Sequence, residues 1–243
     1  MLSKEELQFY SRQLGIASWG PATQEKLKNS SVFVAGAGGL GSPVLYYLAA
    51  AGVGTICLCD HDIIDITNLN RQILHRFDRL GKSKVESAGD SLAGLNPYIT
   101  VTPIKKKLTS KNAVELIGDS DLIIDCLDNF ETRHILNRVS VNRNIPMIHA
   151  GVAEFRGQIS FLHPPETPCL ACFLNQKTPR VKIQVPGATP GVLGSLQAVE
   201  AIKYLAGFGP SLKNKLLFWD GLSMKCETIT IRRNPRCKVC KNA

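Results

Sequence analysis

Two rhythms of apolar and polar positions run along this chain. Short apolar runs at residues 32–35, 55–60, 100–104, 122–127, 147–152 and 158–163 have the length of strands. The stretches between them are helical in length or spacing. Residues 40–51 are rich in Ala and Leu, and 82–95 set Val85, Ala88, Leu92 and Leu95 on one face; helices over 113–117 and 131–143 follow. This alternation predicts βαβ units, hence an α/β, Rossmann-like, mostly parallel sheet flanked by helices with right-handed crossovers. Beyond residue 163 the rhythm changes. Residues 164–190 hold six prolines and no period, too long a connection to be idle in a compact domain. A helix over 192–205 and closing antiparallel strands over 216–220 and 228–232 complete the reading. No internal repeat or low-complexity tract interrupts it, so residues 1–243 read as a single domain. Its parts are 1–163, a crossover loop over 164–190, and a C-terminal helix, strands and tail over 191–243.

Composition changes this picture little, and charge changes it more. Hydrophobic residues make up 44% of 243 and charged ones 20%, which excludes an intrinsically disordered chain. Residues 29–59 carry no charged side chain and are long enough to span a bilayer. Gly36, Gly38, Gly39, Gly41, Ser42 and Pro43 break that run into strand, turn, helix and strand, so no membrane span is expected. The N-terminus has early acids at Glu5 and Glu6 and no apolar signal segment; a cytoplasmic protein is expected. Lys and Arg total 29 against 20 acids, and a net charge of +9 asks for an anionic partner. No recognition helix or aromatic-interleaved basic motif accompanies that charge, so nucleic acid is not the expected one.

The chemistry begins at Gly36-Ala37-Gly38-Gly39-Leu40-Gly41, a G-x-G-x-x-G turn between a strand and a helix. Glycine lets the backbone approach a phosphate, and the helix N-terminus adds free N–H groups and a positive dipole end. Asp60 ends the next strand 19 residues after Gly41, where a ribose hydroxyl is held. This context points to an adenine nucleotide and leaves NAD and ATP both open. The polar stretch after it, with Asp60-His61-Asp62, Asn68-Leu69-Asn70-Arg71-Gln72, Lys82 and Lys84, suits a triphosphate better than a nicotinamide riboside, because phosphoryl chemistry depends on charge stabilisation. An NAD-dependent oxidoreductase would use the glycine turn and Asp60 but not Arg71, Lys84 or Asp128. Asp128 ends an apolar strand, where a carboxylate faces the ligand crevice and can hold Mg²⁺; the alternative is an N-cap for the helix that follows.

Of eight cysteines, four form two pairs, Cys169-x-x-Cys172 and Cys237-x-x-Cys240. Four thiolates are what a closed, structural zinc site needs, and such a site would tie the tail back to the long loop. A redox pair or unpaired thiols are the alternatives. The other four, Cys57, Cys59, Cys126 and Cys226, read as small core residues.

In sequence order these motifs resemble the ThiF/MoeB/HesA family, relatives of the ubiquitin-activating enzymes. The residues that carry the resemblance are Tyr10-Ser11-Arg12-Gln13, the glycine turn, Thr67-Asn68-Leu69-Asn70-Arg71-Gln72, Gly81-Lys82-Ser83-Lys84-Val85, residues 125–129, Gly194-Ser195-Leu196-Gln197 and residues 233–240. Together they span nearly the whole chain. The resemblance implies ATP- and Mg²⁺-dependent adenylation of the C-terminal Gly-Gly carboxylate of a ubiquitin-like sulfur carrier, for later thiocarboxylation in molybdopterin, thiamin or related biosynthesis. Carried over position by position, it implies that Gly36, Gly38, Gly39 and Gly41 cradle the nucleotide and Asp60 holds the ribose. Asp62, Thr67, Asn68, Leu69, Asn70, Arg71, Gln72 and Lys84 line the phosphate side, and Asp128, beside Asn129, binds the magnesium. Arg12, Arg71, Lys84 and Asp128 are the implied catalytic set, with Arg12 reaching into a partner subunit's site, hence a homodimer. Cys169, Cys172, Cys237 and Cys240 match a structural Zn²⁺ site. A short peptide C-terminus is the alternative substrate.

One departure stands out. Relatives often carry a further cysteine in the crossover loop, but residues 173–225 contain none, and no appended sulfur-donor domain is expected. Adenylation alone is expected, with sulfur supplied by a separate donor. Lys177, Arg180 and Lys182 in the crossover loop are expected to meet the carrier's tail. Arg232, Arg233, Arg236, Lys238 and Lys241 make a candidate docking face for an acidic carrier.

Overall fold

A computed structural model describes residues 1–174 and 184–242. The chain opens with three helices, α1 (Lys4–Phe9), α2 (Ser11–Leu14) and α3 (Gly20–Lys28). Then follow β1 (Ser31–Ala35), α4 (Gly41–Ala51), β2 (Thr55–Cys59), α5 (Lys84–Leu95), β3 (Thr100–Ile104), α6 (Ala113–Ile117), β4 (Leu122–Asp125) and α7 (Phe130–Arg143). The remainder is β5 (Met147–Ala153), β6 (Arg156–Leu162), α8 (Ala188–Ala206), β7 (Lys215–Asp220) and β8 (Lys225–Thr230). All eight strands join one sheet in the order β3-β2-β1-β4-β5-β6-β7-β8. β3 through β5 are parallel, and β5 to β8 pair antiparallel.

The apolar runs form strands because both faces of the sheet are covered. Along β1, Val32 and Val34 join the core under α4, α5 and α8, while Phe33 and Ala35 join the core under α6 and α7. In β4, Leu122 and Ile124 split from Ile123 in the same way. A strand sandwiched between two helical layers reads as a continuous apolar run without alternation. The charge-free stretch 29–59 is thus β1, a turn, α4 and β2, and among the described residues no helix is long and apolar enough to cross a membrane.

Strand order reverses between β1 and β4. At such a switch point two neighbouring crossovers leave on opposite faces and open a crevice at the carboxyl ends of the strands. Residues 36–41 follow β1 into this crevice and residues 126–128 follow β4. The register pairs Ala35 with Asp125, so the two segments leave the sheet side by side.

Several element boundaries move from their expected places. Helix α8 begins at Ala188, inside the proline-rich stretch, because Pro190 sits in its first turn where a missing N–H costs nothing. The last strand is Lys225–Thr230 and not 228–232. It hairpins onto β7 with Lys215 opposite Thr230, and all six of its residues are exposed, so no alternation marked its start. Helices α1 to α3 had no counterpart in the periodicity. They are held by tertiary contacts: Gln24 donates to the Ala51 carbonyl at 2.8 Å, and buried Tyr10 accepts from Asn96 Nδ2 at 2.8 Å. Cys59 and Cys126 are buried as expected and Cys57 is half-buried. Cys226 corrects the core reading: it lies exposed on β8.

Candidate functional site

The glycine turn is held from several sides. Gly36 has φ +101°, a conformation L side chains rarely adopt, and a Cβ on it would meet the Cys126 carbonyl oxygen at 2.8 Å. A Cβ on Gly41 would stand 2.1 Å from the Gly36 carbonyl oxygen, so these two glycines make the tight turn and its packing against β4. Gly38 and Gly39 face the next segment of the site. A Cβ on Gly38 would lie 3.7 Å from Gln72 Nε2, and one on Gly39 would lie 3.6 Å from Arg71 Cγ and 3.1 Å from Pro190 Cγ. Helix α4 starts immediately after the turn with no side-chain cap. The peptide of Ala37 is fixed at both ends: its N–H donates to Asp60 Oδ2 at 2.8 Å, and its carbonyl accepts from His75 Nε2 at 2.9 Å.

Residues 60–72 form the outer wall. Asp60 Oδ1 accepts the Asp62 N–H at 2.9 Å. Thr67 gives both its N–H and its hydroxyl to Asp65 Oδ1 at 2.8 and 2.6 Å, and Asn68 Oδ1 accepts the Asp65 N–H at 3.2 Å. This reciprocal cap builds a 3₁₀ turn over Ile66–Asn68, from which Leu69 continues. Arg71 donates from Nη1 to the Thr67 carbonyl at 2.8 Å and to Asn70 Oδ1 at 3.0 Å, which folds its guanidinium back onto its own loop while its stem runs beside Gly39. Gln72 is buried and its Oε1 has no partner. The start of α8 closes the third side, since a Cβ on Gly187 would meet the Asn70 carbonyl at 2.3 Å. The loop, the glycine turn and α8 therefore converge where the sequence placed a polyphosphate.

Lys84 begins α5 and is 5% exposed, and its Nζ lies 2.9 Å from Asp62 Oδ2. Asp62 is thereby engaged by lysine. Partial burial opposes its ionisation, but the hydrogen bond and charge of Lys84, with His61 behind, hold its carboxyl below the ordinary range. Asp128 stands exposed past the end of β4 and makes no hydrogen bond or ion pair among the described residues. The N-cap of α7 is Asn129, whose Oδ1 accepts the Thr132 N–H at 2.9 Å, so Asp128 is not the cap. An unengaged carboxylate at that crest fits a Mg²⁺ that takes its other ligands from phosphates and water. Arg12 is exposed on α2 and pairs with nothing among the described residues. Lys177, Arg180 and Lys182 lie outside the described residues.

The four paired cysteines do come together. Sγ–Sγ distances are 3.9 Å for Cys169–Cys172, 3.6 Å for Cys169–Cys237 and 3.5 Å for Cys172–Cys240, with all four sulfurs within 4.8 Å of one another. A tetrahedral zinc with Zn–S bonds near 2.3 Å places its sulfurs about 3.8 Å apart, so this donor set fits the ion. Burial raises the Cys169 thiol and pushes the Cys172 thiol up to about 11. Burial also opposes ionisation of Cys237, but N–H groups of Cys240 and Val239 and the thiols of Cys169 and Cys240 bring it down to about 7. Four thiolates in such a place need a cation beside them.

The sequence reading did not single out His75, Arg133 or His149. His75, His134 and His149 are all buried, and burial lowers each below its ordinary 6.5. The unfolded chain takes up those protons first, so the stability these neutral rings support is complete above about pH 6.5 and is lost as pH falls through the depressed folded values. Urea midpoints should accordingly hold steady above pH 7 and fall from about 6.5 downwards, less steeply in a His75→Asn variant. A midpoint unchanged between pH 7 and pH 5 would refute this.

Comparison with known proteins agrees with this geometry. Residues 10–239 match the model of the ThiF family. The chain is 40% identical to the sulfur carrier protein adenylyltransferase of Thermus thermophilus, over 98% of this chain and 92% of that one. It is 38% identical to the molybdopterin-synthase adenylyltransferase of Escherichia coli, over 98% of each. Among solved structures, Escherichia coli MccB with ATP superposes with a TM-score of 0.86 at 29% identity, over 96% of this chain and 73% of that one.

Proposed function

The chain belongs to the ThiF family, and from that premise we propose that it adenylates the C-terminal Gly-Gly carboxylate of a ubiquitin-like sulfur carrier protein, with residues 1–243 working as one adenylation domain. The observation that carries the reading is the meeting of the glycine turn, Arg71 and the start of α8 at the sheet's switch point, with Lys84 paired to Asp62 and Asp128 exposed past the end of β4. A carboxylate oxygen of the carrier attacks the α-phosphorus of ATP; the new C–O–P bond forms as the bond to the pyrophosphate oxygen breaks. The attacking carboxylate is already ionised, so no general base is needed. The protein must align two anions and offset their repulsion. In this reading Gly36, Gly38, Gly39 and Gly41 admit the phosphates to the uncapped start of α4, and Asp60 receives the ribose. Asp62, Thr67, Asn68, Leu69, Asn70 and Gln72 hold the wall that presents Arg71 and Lys84, while Asp128, beside Asn129, holds Mg²⁺, which would neutralise charge on the phosphates. Cys169, Cys172, Cys237 and Cys240 hold a structural zinc.

Arg12 acts in the site of a second copy. The wall that carries Arg71 leaves Ile63, Ile66, Ile73 and Phe77 at least half exposed, an apolar set that a homodimer would cover. The exposed Arg232, Arg236, Lys238 and Lys241 offer charge complementary to an acidic carrier. With no cysteine between residues 173 and 225, sulfur comes from a separate donor, in the cytoplasm. The test is isotope exchange between ATP and pyrophosphate against a panel of candidate carriers. Exchange is expected with one intact Gly-Gly terminus and none with its truncated form. A protein that exchanges with no carrier and instead transfers hydride to NAD would sink the proposal.

A further inference from the structure

Asp125 closes β4 and is fully buried. Its Oδ2 accepts from His149 Nδ1 at 2.7 Å and pairs with Arg133 Nε at 3.5 Å, and its Oδ1 accepts the Leu127 N–H at 3.1 Å. His149 is neutral there, with Nδ1 the donor, and Gln158 Nε2 approaches its other nitrogen at 3.4 Å. Arg133, 6% exposed on the first turns of α7, reaches back to the strand ends. Its Nη2 donates to the Leu127 carbonyl and, at 3.0 Å, to the Ala150 carbonyl of β5, and its guanidinium lies 5.4 Å from the Phe130 ring centroid. Both polar groups of the Leu127 backbone are thus tied to the Asp125–Arg133 pair. On the other flank Asn129 is fixed as the cap of α7, and its carbonyl accepts the Arg133 N–H at 3.3 Å. Asp128 is the residue between these two clamps, and its carboxylate has no partner among the described residues.

We propose that Arg133, braced by Asp125 and its partner His149, is a positioning residue that sets the Asp128 carboxylate for the divalent cation; this rests on the reading of Asp128 as the metal ligand. The requirement is for a planar fork. Its Nη2 spans the Leu127 carbonyl, past the end of β4, and the Ala150 carbonyl of β5 while Nε faces a buried carboxylate, a spread of donors that a lysine's single nitrogen cannot reproduce. A buried cation that did no more than stabilise β4 would satisfy Asp125 without touching the peptide next to Asp128.

The test uses the full-length protein with a non-hydrolysable ATP analogue and Mn²⁺ as the probe, read by electron paramagnetic resonance. Arg133→Lys should weaken Mn²⁺ about 10-fold, in the range found when groups behind a metal ligand are changed, while metal-free analogue affinity moves less than about threefold. In an Asp128→Ala background the same substitution should add nothing. His149→Gln, a milder change, should weaken Mn²⁺ in the same direction and keeps the question open to test if the lysine variant does not fold. Unchanged Mn²⁺ affinity in folded Arg133→Lys, or an equal loss with and without Asp128, would overturn the proposal. An Asp128→Ala protein that binds Mn²⁺ like the parent removes the metal-ligand reading itself and the proposal with it.

Discussion

Replacing Lys84 with alanine is expected to lower carrier-dependent ATP–pyrophosphate exchange by about 10²–10³-fold while the protein stays folded, because in the proposed site it removes a charge-stabilising donor to the polyphosphate. Two features of the structure separate the effects. Lys84 is buried, but its partner Asp62 is half exposed, so losing the lysine strands no buried carboxylate. A pair with one member in water is worth about 0–1 kcal/mol, and the lysine stem adds some packing. The urea midpoint should therefore move little while exchange collapses. Lys84→Arg should not restore activity, since a planar guanidinium does not fit a point-charge site between α5 and Asp62. In the proposed reading Asp62 competes with the phosphate for the charge of Lys84, so Asp62→Asn should alter ATP affinity more than it alters the chemical step. Exchange within threefold of the parent in Lys84→Ala would remove the residue from the mechanism.

What the sequence made legible follows one physical rule. Features that depend on local backbone or on fixed spacing were readable. Gly36 and Gly41 are glycines because no side chain fits where they stand, and the four cysteines announce themselves because a tetrahedral ion wants thiolates in close pairs. Parallel strands were readable because double burial leaves an apolar run. Features that depend on long-range register were not. Nothing in the neighbourhood of His149 or Arg133 marks them, because their partner Asp125 is brought to them by the pairing of β4 with β5 and the return of α7. Asn129 took the capping role weighed for Asp128 because its side chain reaches the Thr132 N–H, a choice between neighbours that spacing could not decide. Helices α1 to α3 escaped because they are short and owe their stability to contacts with Ala51 and Asn96. Strand β8 began three residues early because an exposed strand needs no apolar alternation.

Replacing Cys237 with serine is expected to release zinc and lower stability by about 3 kcal/mol, a fall in Tm of roughly 6–12 °C for a chain of this size. The tail past β8 has no helix or strand of its own among the described residues. Among the described residues, the cysteine cluster, the Asn234 N–H on Cys172 Sγ at 3.4 Å and buried Ile231 fasten it to the rest of the chain, and the hydrogen bond from Arg233 to the Cys240 carbonyl closes the tail on itself. On the other side, Leu170 next to Cys169 is pinned to α7 through Asn137 Oδ1 at 2.8 Å. An ion held by these four sulfurs would join the tail to the loop before residue 174, two segments 68 residues apart in sequence. Without it the thiols of buried Cys169 and Cys240 and half-buried Cys172, packed with Val141, would share no cation. The loss is bounded, because the tail can detach locally while the eight-stranded sheet stays intact. Chelation should therefore reproduce the Tm fall in the parent protein and do nothing further to Cys237→Ser, and limited proteolysis should cut both within the tail. A Cys237→Ser protein that keeps one zinc per chain, or whose Tm matches the parent's, would show that the tail is held by packing and that the four cysteines are not its anchor.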